Sequence, residues 1–175
     1  MRTTKPFRRL RLLAAAATLA WAGAAAAQDL RVGVRAGPEG IDPAYMALGN
    51  HSAAVKNMFD TLVWVDEKLQ VQPGLAVSWR TVDDTTWEFK LREGVKFHDG
   101  TPFNADAVVF NFRRIIDPNF EYFFDRAKPL RTTPLRYLSE VRKVDDNTVE
   151  LVLSQPWGLF LNQLATTLSS GLPLF

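Results

Sequence analysis

The chain has 175 residues, with 21 Lys+Arg against 19 Asp+Glu and no cysteine. All 19 acidic side chains lie after Ala27, whereas five of the basic ones lie before Gln28. Residues 28–175 therefore carry 16 basic and 19 acidic groups, a net charge of −3 rather than +2, which gives no support to a basic nucleic-acid-binding surface. The lack of cysteine excludes a disulfide framework and a lipid tether on a cysteine, so stability has to come from an apolar core.

In chain order, the first feature is an export signal. Arg2, Lys5, Arg8, Arg9 and Arg11 form a basic start, residues 12–23 an apolar run, and Ala25-Ala26-Ala27 a small-residue cleavage site. The apolar run is shorter than the ~20 residues a membrane-spanning helix needs. Cleavage is expected after Ala27, releasing a periplasmic protein.

Leu30, Val32 and Val34 alternate with Arg31, Gly33 and Arg35, the period of a half-buried strand. A loop punctuated by Gly37-Pro38 and Gly40 through Pro43 follows it. A helix is expected over 52–59, capped by Asn50 or Ser52, with Ala54, Val55, Met58 and Phe59 on one face. Residues 62–65 read as a strand turning at Asp66-Glu67-Lys68, and 75–79 as a further strand after the Pro73-Gly74 break. That strand continues into a hairpin turning at Asp83-Asp84, with Trp87, Phe89 and Leu91 on its apolar side and Glu88, Lys90 and Arg92 toward water.

Asn104 caps the clearest helix, in which Ala105, Val108, Val109, Phe112, Ile115 and Ile116 recur at helical spacing until Asp117-Pro118. Residues 119–137 are irregular, aromatic and basic. A second hairpin is expected over 141–144 and 148–153, turning at Asp145-Asp146-Asn147, followed by a short helix over 159–165. The two hairpins match: Val82, Asp83, Asp84, Thr86, Glu88 and Leu91 recur as Val144, Asp145, Asp146, Thr148, Glu150 and Leu153. Asp side chains that accept from nearby backbone N–H groups make a shared turn solution a sufficient cause.

Enzymatic constellations are lacking. His98 beside Asp99 suggests a base with its carboxylate, but adjacent residues on a turn seldom face each other, and there is no Ser or Cys nucleophile motif. Asp99-Gly100 reads better as a turn, Pro102 as a corner and Asn104 as a cap. His51 and His98, the two histidines, are not at metal-ligand spacing. Trp64, Trp79, Trp87 and Trp157 suggest a stacking platform, although Trp79 and Trp87 sit among aliphatic residues as core side chains do.

The run Leu91-Arg92-Glu93-Gly94-Val95-Lys96-Phe97-His98-Asp99-Gly100-Thr101-Pro102-Phe103-Asn104-Ala105-Asp106-Ala107-Val108-Val109-Phe110 resembles the signature of the peptide/nickel class of bacterial extracellular solute-binding proteins, family 5. Phe59-Asp60-Thr61-Leu62-Val63 and Pro73-Gly74-Leu75-Ala76-Val77-Ser78-Trp79 extend the likeness. The resemblance implies an α/β chain, the N-terminal third of a two-lobed type II periplasmic-binding-protein fold of mixed sheet, hairpins and flanking helices. It allots 28–45 to the first strand and cleft loop of the main lobe, 46–155 to a smaller α/β subdomain and 156–175 to the start of a return. The implied role is non-enzymatic: a monomer without cofactor that delivers an oligopeptide or other small solute to an inner-membrane ABC permease. Residues 171–175 end on an apolar run, as an interrupted chain would. A stand-alone exported interaction module and an exported hydrolase are the alternatives.

Ligand contacts are expected from loops. Glu39, Tyr45, Met46, Asn50, His51 and Ser52 follow the first strand, where ligands of open α/β sheets gather, and the resemblance places that loop at the cleft. Where a nickel chelate is the ligand, His51 is the one residue there able to join in. Tyr122-Phe123-Phe124 with Arg126 is the second set, because three exposed aromatics on an irregular segment need a partner; packing between lobes is the duller role for it. Ser170, within Ser169-Ser170-Gly171, is the third.

Overall fold

The computed structural model describes Gly33, Asp42 and residues 57–132 and 135–165. The chain divides into two compact units, Met1–Gly33 and Val34–Phe175, and all of its described strands and helices lie in the second. The first strand at 30–34, most of the loop after it, residues 52–56 of the expected helix and residues 166–175 lie outside the described residues. That helix does not reach Phe59, since Asn57 and Met58 form a turn.

Strand β1 (Val63–Val65) pairs antiparallel with β2 (Val71–Pro73) in a two-stranded ribbon. Asp66 makes the connection: its Oδ1 accepts from the N–H of Lys68 and Gln70 at 2.8 and 2.9 Å, and its Oδ2 accepts from Gln72 Nε2 at 2.8 Å. Strand β2 is not foreseen in the sequence, because three residues ending in proline carry no alternation to read. Gly74 then lets the chain cross close to residues 61–62. A Cβ there would lie 2.4 Å from the Thr61 carbonyl oxygen.

The main sheet has the order β3–β4–β6–β5, all antiparallel, from β3 (Ala76–Thr81), β4 (Thr86–Leu91), β5 (Leu138–Asp145) and β6 (Thr148–Leu153). Phe89, Leu91, Val141, Val149, Leu151 and Leu153 line its buried face. Helix α1 (Ala105–Ile116) adds Val108, Phe112 and Ile115 to the same core. Its cap is as expected: Asn104 Oδ1 accepts from Ala107 N–H at 3.1 Å, and Asp117 ends the helix. Lys143 Nζ ties the helix start to the sheet, bridging Asp106 at 2.7 Å and Asp146 at 2.8 Å.

The matching hairpins pair with each other through their central strands. Glu88 stands opposite Glu150, Trp87 opposite Leu151 and Phe89 opposite Val149, so each partner maps onto its counterpart by a local two-fold rotation. Leu91 N–H donates to Asn147 O at 2.7 Å, and its counterpart Leu153 N–H donates to Thr85 O at 2.8 Å. The repeated turn is thus also a repeated pairing unit. Glu88 departs from its expected position: its side chain is only 12% exposed, covered by Arg80, which grips both its oxygens at 2.8 and 2.9 Å.

The segment 119–137 is less irregular than expected. It holds a 3₁₀ turn (Asp125–Ala127) and a short helix α2 (Lys128–Thr132), whose proline stands in the first turn, where a missing N–H costs nothing. Helix α3 (Phe160–Ala165) then buries Phe160 and Leu164. Among the described residues, no helix is long and apolar enough to cross a membrane.

Candidate functional site

The signature run folds as local scaffolding. Asp99 Oδ1 accepts from the backbone and hydroxyl of Thr101 at 2.9 and 2.6 Å, which holds its carboxyl below the usual range. Gly100 takes φ 86°, a left-handed conformation that other residues rarely adopt. Lys96 bridges to Pro102, and Ala105 N–H donates to Asp146 O at 2.9 Å, docking the helix start on the second hairpin's turn. Asp99 Oδ1 thus closes a local turn on Thr101, the structural role expected for it from the sequence.

The same run forms one wall of a cavity of about 900 Å³. Phe97, His98 and Thr101 line it from the turn and Phe110, Asn111 and Arg114 from α1, together with Asp42 and Phe59. Arg114 is an anchored charge in this lining. Its Nη2 meets Asp42 Oδ1 at 2.5 Å, and its guanidinium lies 6.0 Å from the Phe124 ring centroid. Neither Arg114 nor Asp42 stands out in the sequence, because 72 positions separate them and each sits in an ordinary local context.

Of the residues expected to contact ligand, Glu39, Tyr45, Met46, Asn50, His51, Ser52 and Ser170 lie outside the described residues. Tyr122, Phe124 and Arg126 are described, and the aromatic knot does not present three exposed rings. Tyr122 is 57% exposed and packs against Phe110 and Phe120 at 5.4 and 5.7 Å. Phe123 is half-buried, with Arg131 4.9 Å from its ring, and Phe124 packs on the core. The reason is local: Phe124 N–H donates to Arg114 O at 2.7 Å, which turns the segment back on the helix end. Arg126 is exposed on the 3₁₀ turn. The outward aromatic patch is therefore Phe110, Phe120 and Tyr122, with Arg113 4.5 Å over Phe120.

Among the described residues the tryptophans form no single platform. Trp64 is 48% exposed, and its indole N–H is taken by Pro73 O at 3.0 Å. Trp79 is half-buried beside Phe89 rather than fully in the core. Trp87 is likewise half-buried and meets Phe160 at 6.1 Å, while Trp157 joins Phe160 to Tyr137. Among the described residues no group of three His, Cys, Asp or Glu could hold a metal ion.

Residues 70–172 match the family model for bacterial extracellular solute-binding proteins, family 5, middle region. The chain is 36% identical over 152 residues to the dipeptide-binding protein of Escherichia coli K12, an overlap of 76% of this chain and 27% of that protein. It is 37% identical over 142 residues to heme-binding protein A of Haemophilus influenzae, covering 73% of this chain and 26% of that one. Among solved structures, the dipeptide-binding protein of Pseudoalteromonas sp. SM9913 in complex with Met-Leu superposes with a TM-score of 0.69 at 27% identity, over 77% of this chain and 29% of that one. The chain thus spans about a quarter of the length of the curated relatives it matches. The likeness carries the fold class expected from the sequence, that of type II periplasmic binding proteins. With a family model spanning more than half of its residues, the chain belongs to the bacterial extracellular solute-binding proteins of family 5.

Proposed function

We propose that the chain is the N-terminal part of a periplasmic receptor that binds short peptides and hands them to an ABC permease. The observation that carries this reading is the likeness to two dipeptide-binding proteins, one of them solved with Met-Leu bound. In such a receptor two lobes close on the ligand, and differential contacts to the ligand stabilise the closed form. This chain would supply one face: the loop with Glu39, Tyr45, Met46, Asn50, His51 and Ser52, the segment that presents Tyr122 and Arg126 over the inward-packed Phe124, and Ser170. Residues 28–45 and 156–175 would belong to the main lobe and 46–155 to the smaller subdomain, after cleavage behind Ala27. No bond is made or broken in this role, and transport draws its energy from a separate ATPase.

A chimera tests the reading. Residues 28–175 replace the corresponding segment of the E. coli dipeptide-binding protein, in a strain that lacks the native receptor and depends on a dipeptide for one amino acid. Dipeptide-dependent growth is expected. A chimera that is exported and folded yet supports no growth and binds no dipeptide overturns the reading.

A further inference from the structure

We propose that Arg114 is a positioning residue for ligand binding: it ties Asp42 to Phe124 of the aromatic segment without touching the ligand. The inference rests on the receptor function proposed for the chain. Asp42 lies in the loop whose neighbours are the first set of proposed ligand contacts, and Phe124 lies in the second set. The last turn of α1 joins the two. Arg114 Nη2 pairs with Asp42 Oδ1 at 2.5 Å, its guanidinium faces the Phe124 ring at 6.0 Å, and its carbonyl accepts the Phe124 N–H at 2.7 Å. A single residue therefore ties position 42 to position 124 by side chain, ring face and backbone.

The pair is well placed to hold geometry. The side chains of Arg114 and Asp42 are 20% and 36% exposed, so solvent screens their attraction less than on an open surface. Arg114 Nε is enclosed and has no hydrogen-bond partner among the described residues. Removing Asp42 thus leaves a largely enclosed cation without its counter-charge. A guanidinium is a rigid, planar fork that also stacks on aromatic faces, and an ammonium does neither. Lysine at 114 would keep the charge and lose the geometry.

The test measures dipeptide affinity by calorimetry in the same chimera with the E. coli dipeptide-binding protein, carrying Arg114→Ala, Asp42→Ala, both together, or Arg114→Lys. Each titration is made at a temperature where circular dichroism shows the variant fully folded. At least tenfold weaker binding is expected for each alanine variant, and a smaller loss for Arg114→Lys. The double variant should be no worse than the weaker single, since both act through one link. Arg142→Ala, which removes a surface ion pair on the far side of the sheet, should leave affinity within twofold. A melting-temperature change with affinity retained in the folded Arg114 variants overturns the assignment, as do single losses that multiply in the double variant. If the alanine variants do not fold, unchanged affinity in Arg114→Lys overturns it alone. An unsubstituted chimera that is folded but binds no dipeptide overturns the receptor function itself, a distinct outcome.

Discussion

Glu88 on β4 lies directly opposite Glu150 on β6, and each carboxylate is flanked by an arginine on the outer strand of its own hairpin, Arg80 or Arg142. The polar face of the sheet therefore carries a four-strand row of charges, positive–negative–negative–positive, centred on the local two-fold axis. Like charges facing each other across strands are unfavourable, and the outer arginines offset them. The Glu88 pKa is held below its ordinary value chiefly by the hydrogen bond from Arg80.

Arg80→Ala should therefore raise the Glu88 pKa toward the usual carboxylate value. Carbon-detected NMR titration of the glutamate side chains reads this directly. An unmoved Glu88 titration would show that the ion pair is not formed in solution.

Acidification should weaken the fold for a related reason. Asp66, Asp83, Asp99, Asp117, Asp145 and Glu88 all have pKa values lowered by folding, mostly through turn N–H, hydroxyl or guanidinium donors. The native state thus binds fewer protons than the unfolded chain in the acid range. This contribution is complete above the ordinary values of 3.8 for Asp and 4.5 for Glu, and is lost as pH falls through the lower native values. Urea melts at stepped pH should show stability dropping from about pH 4 downward, with a shallower drop in Asp83→Asn. A curve flat down to pH 2 would contradict these turn assignments.

Gly74→Ala should cost about 1–3 kcal/mol, the range for forcing an atom into closed space. The atom in the way is a backbone oxygen, Thr61 O at 2.4 Å, which a rotamer change cannot move. Denaturant unfolding of the variant measures it, and a neutral substitution would mean that the crossing is looser than described.

Phe89→Ala should be the more damaging of two aromatic truncations in β4, at about 3–5 kcal/mol. Phe89 is 0% exposed, whereas Trp87 is only half-buried against Phe160, so Trp87→Ala should cost less, about 2–3 kcal/mol by the same scaling. Equal effects in thermal melts would contradict the burial order.

The Trp87 case shows what the sequence can and cannot tell. Alternation along β4 gives its apolar face, because the period of two is a property of the backbone. How deeply a residue on that face is buried depends on what packs over it, here the distant Phe160. The same contrast separates the helix from the candidate site. Asn104, the 3.6 spacing and Asp117-Pro118 define α1 locally, so it reads directly. The Arg114–Asp42 pair and the inward turn of Phe124 arise from contacts across the fold, which no local pattern announces. Strand β2 escaped for a third reason: three residues are too few to show a period.

Under the proposed receptor function, residues 28–175 supply one face of a ligand site that a second lobe completes. A single face leaves a peptide half solvated, while association still costs an estimated 4–15 kcal/mol of rigid-body freedom. Calorimetric titration of purified residues 28–175 with di- to pentapeptides tests this most directly. Binding no tighter than about millimolar is expected, worth only ~4 kcal/mol. Micromolar or tighter binding would mean that these residues hold a complete site, and would contradict that function.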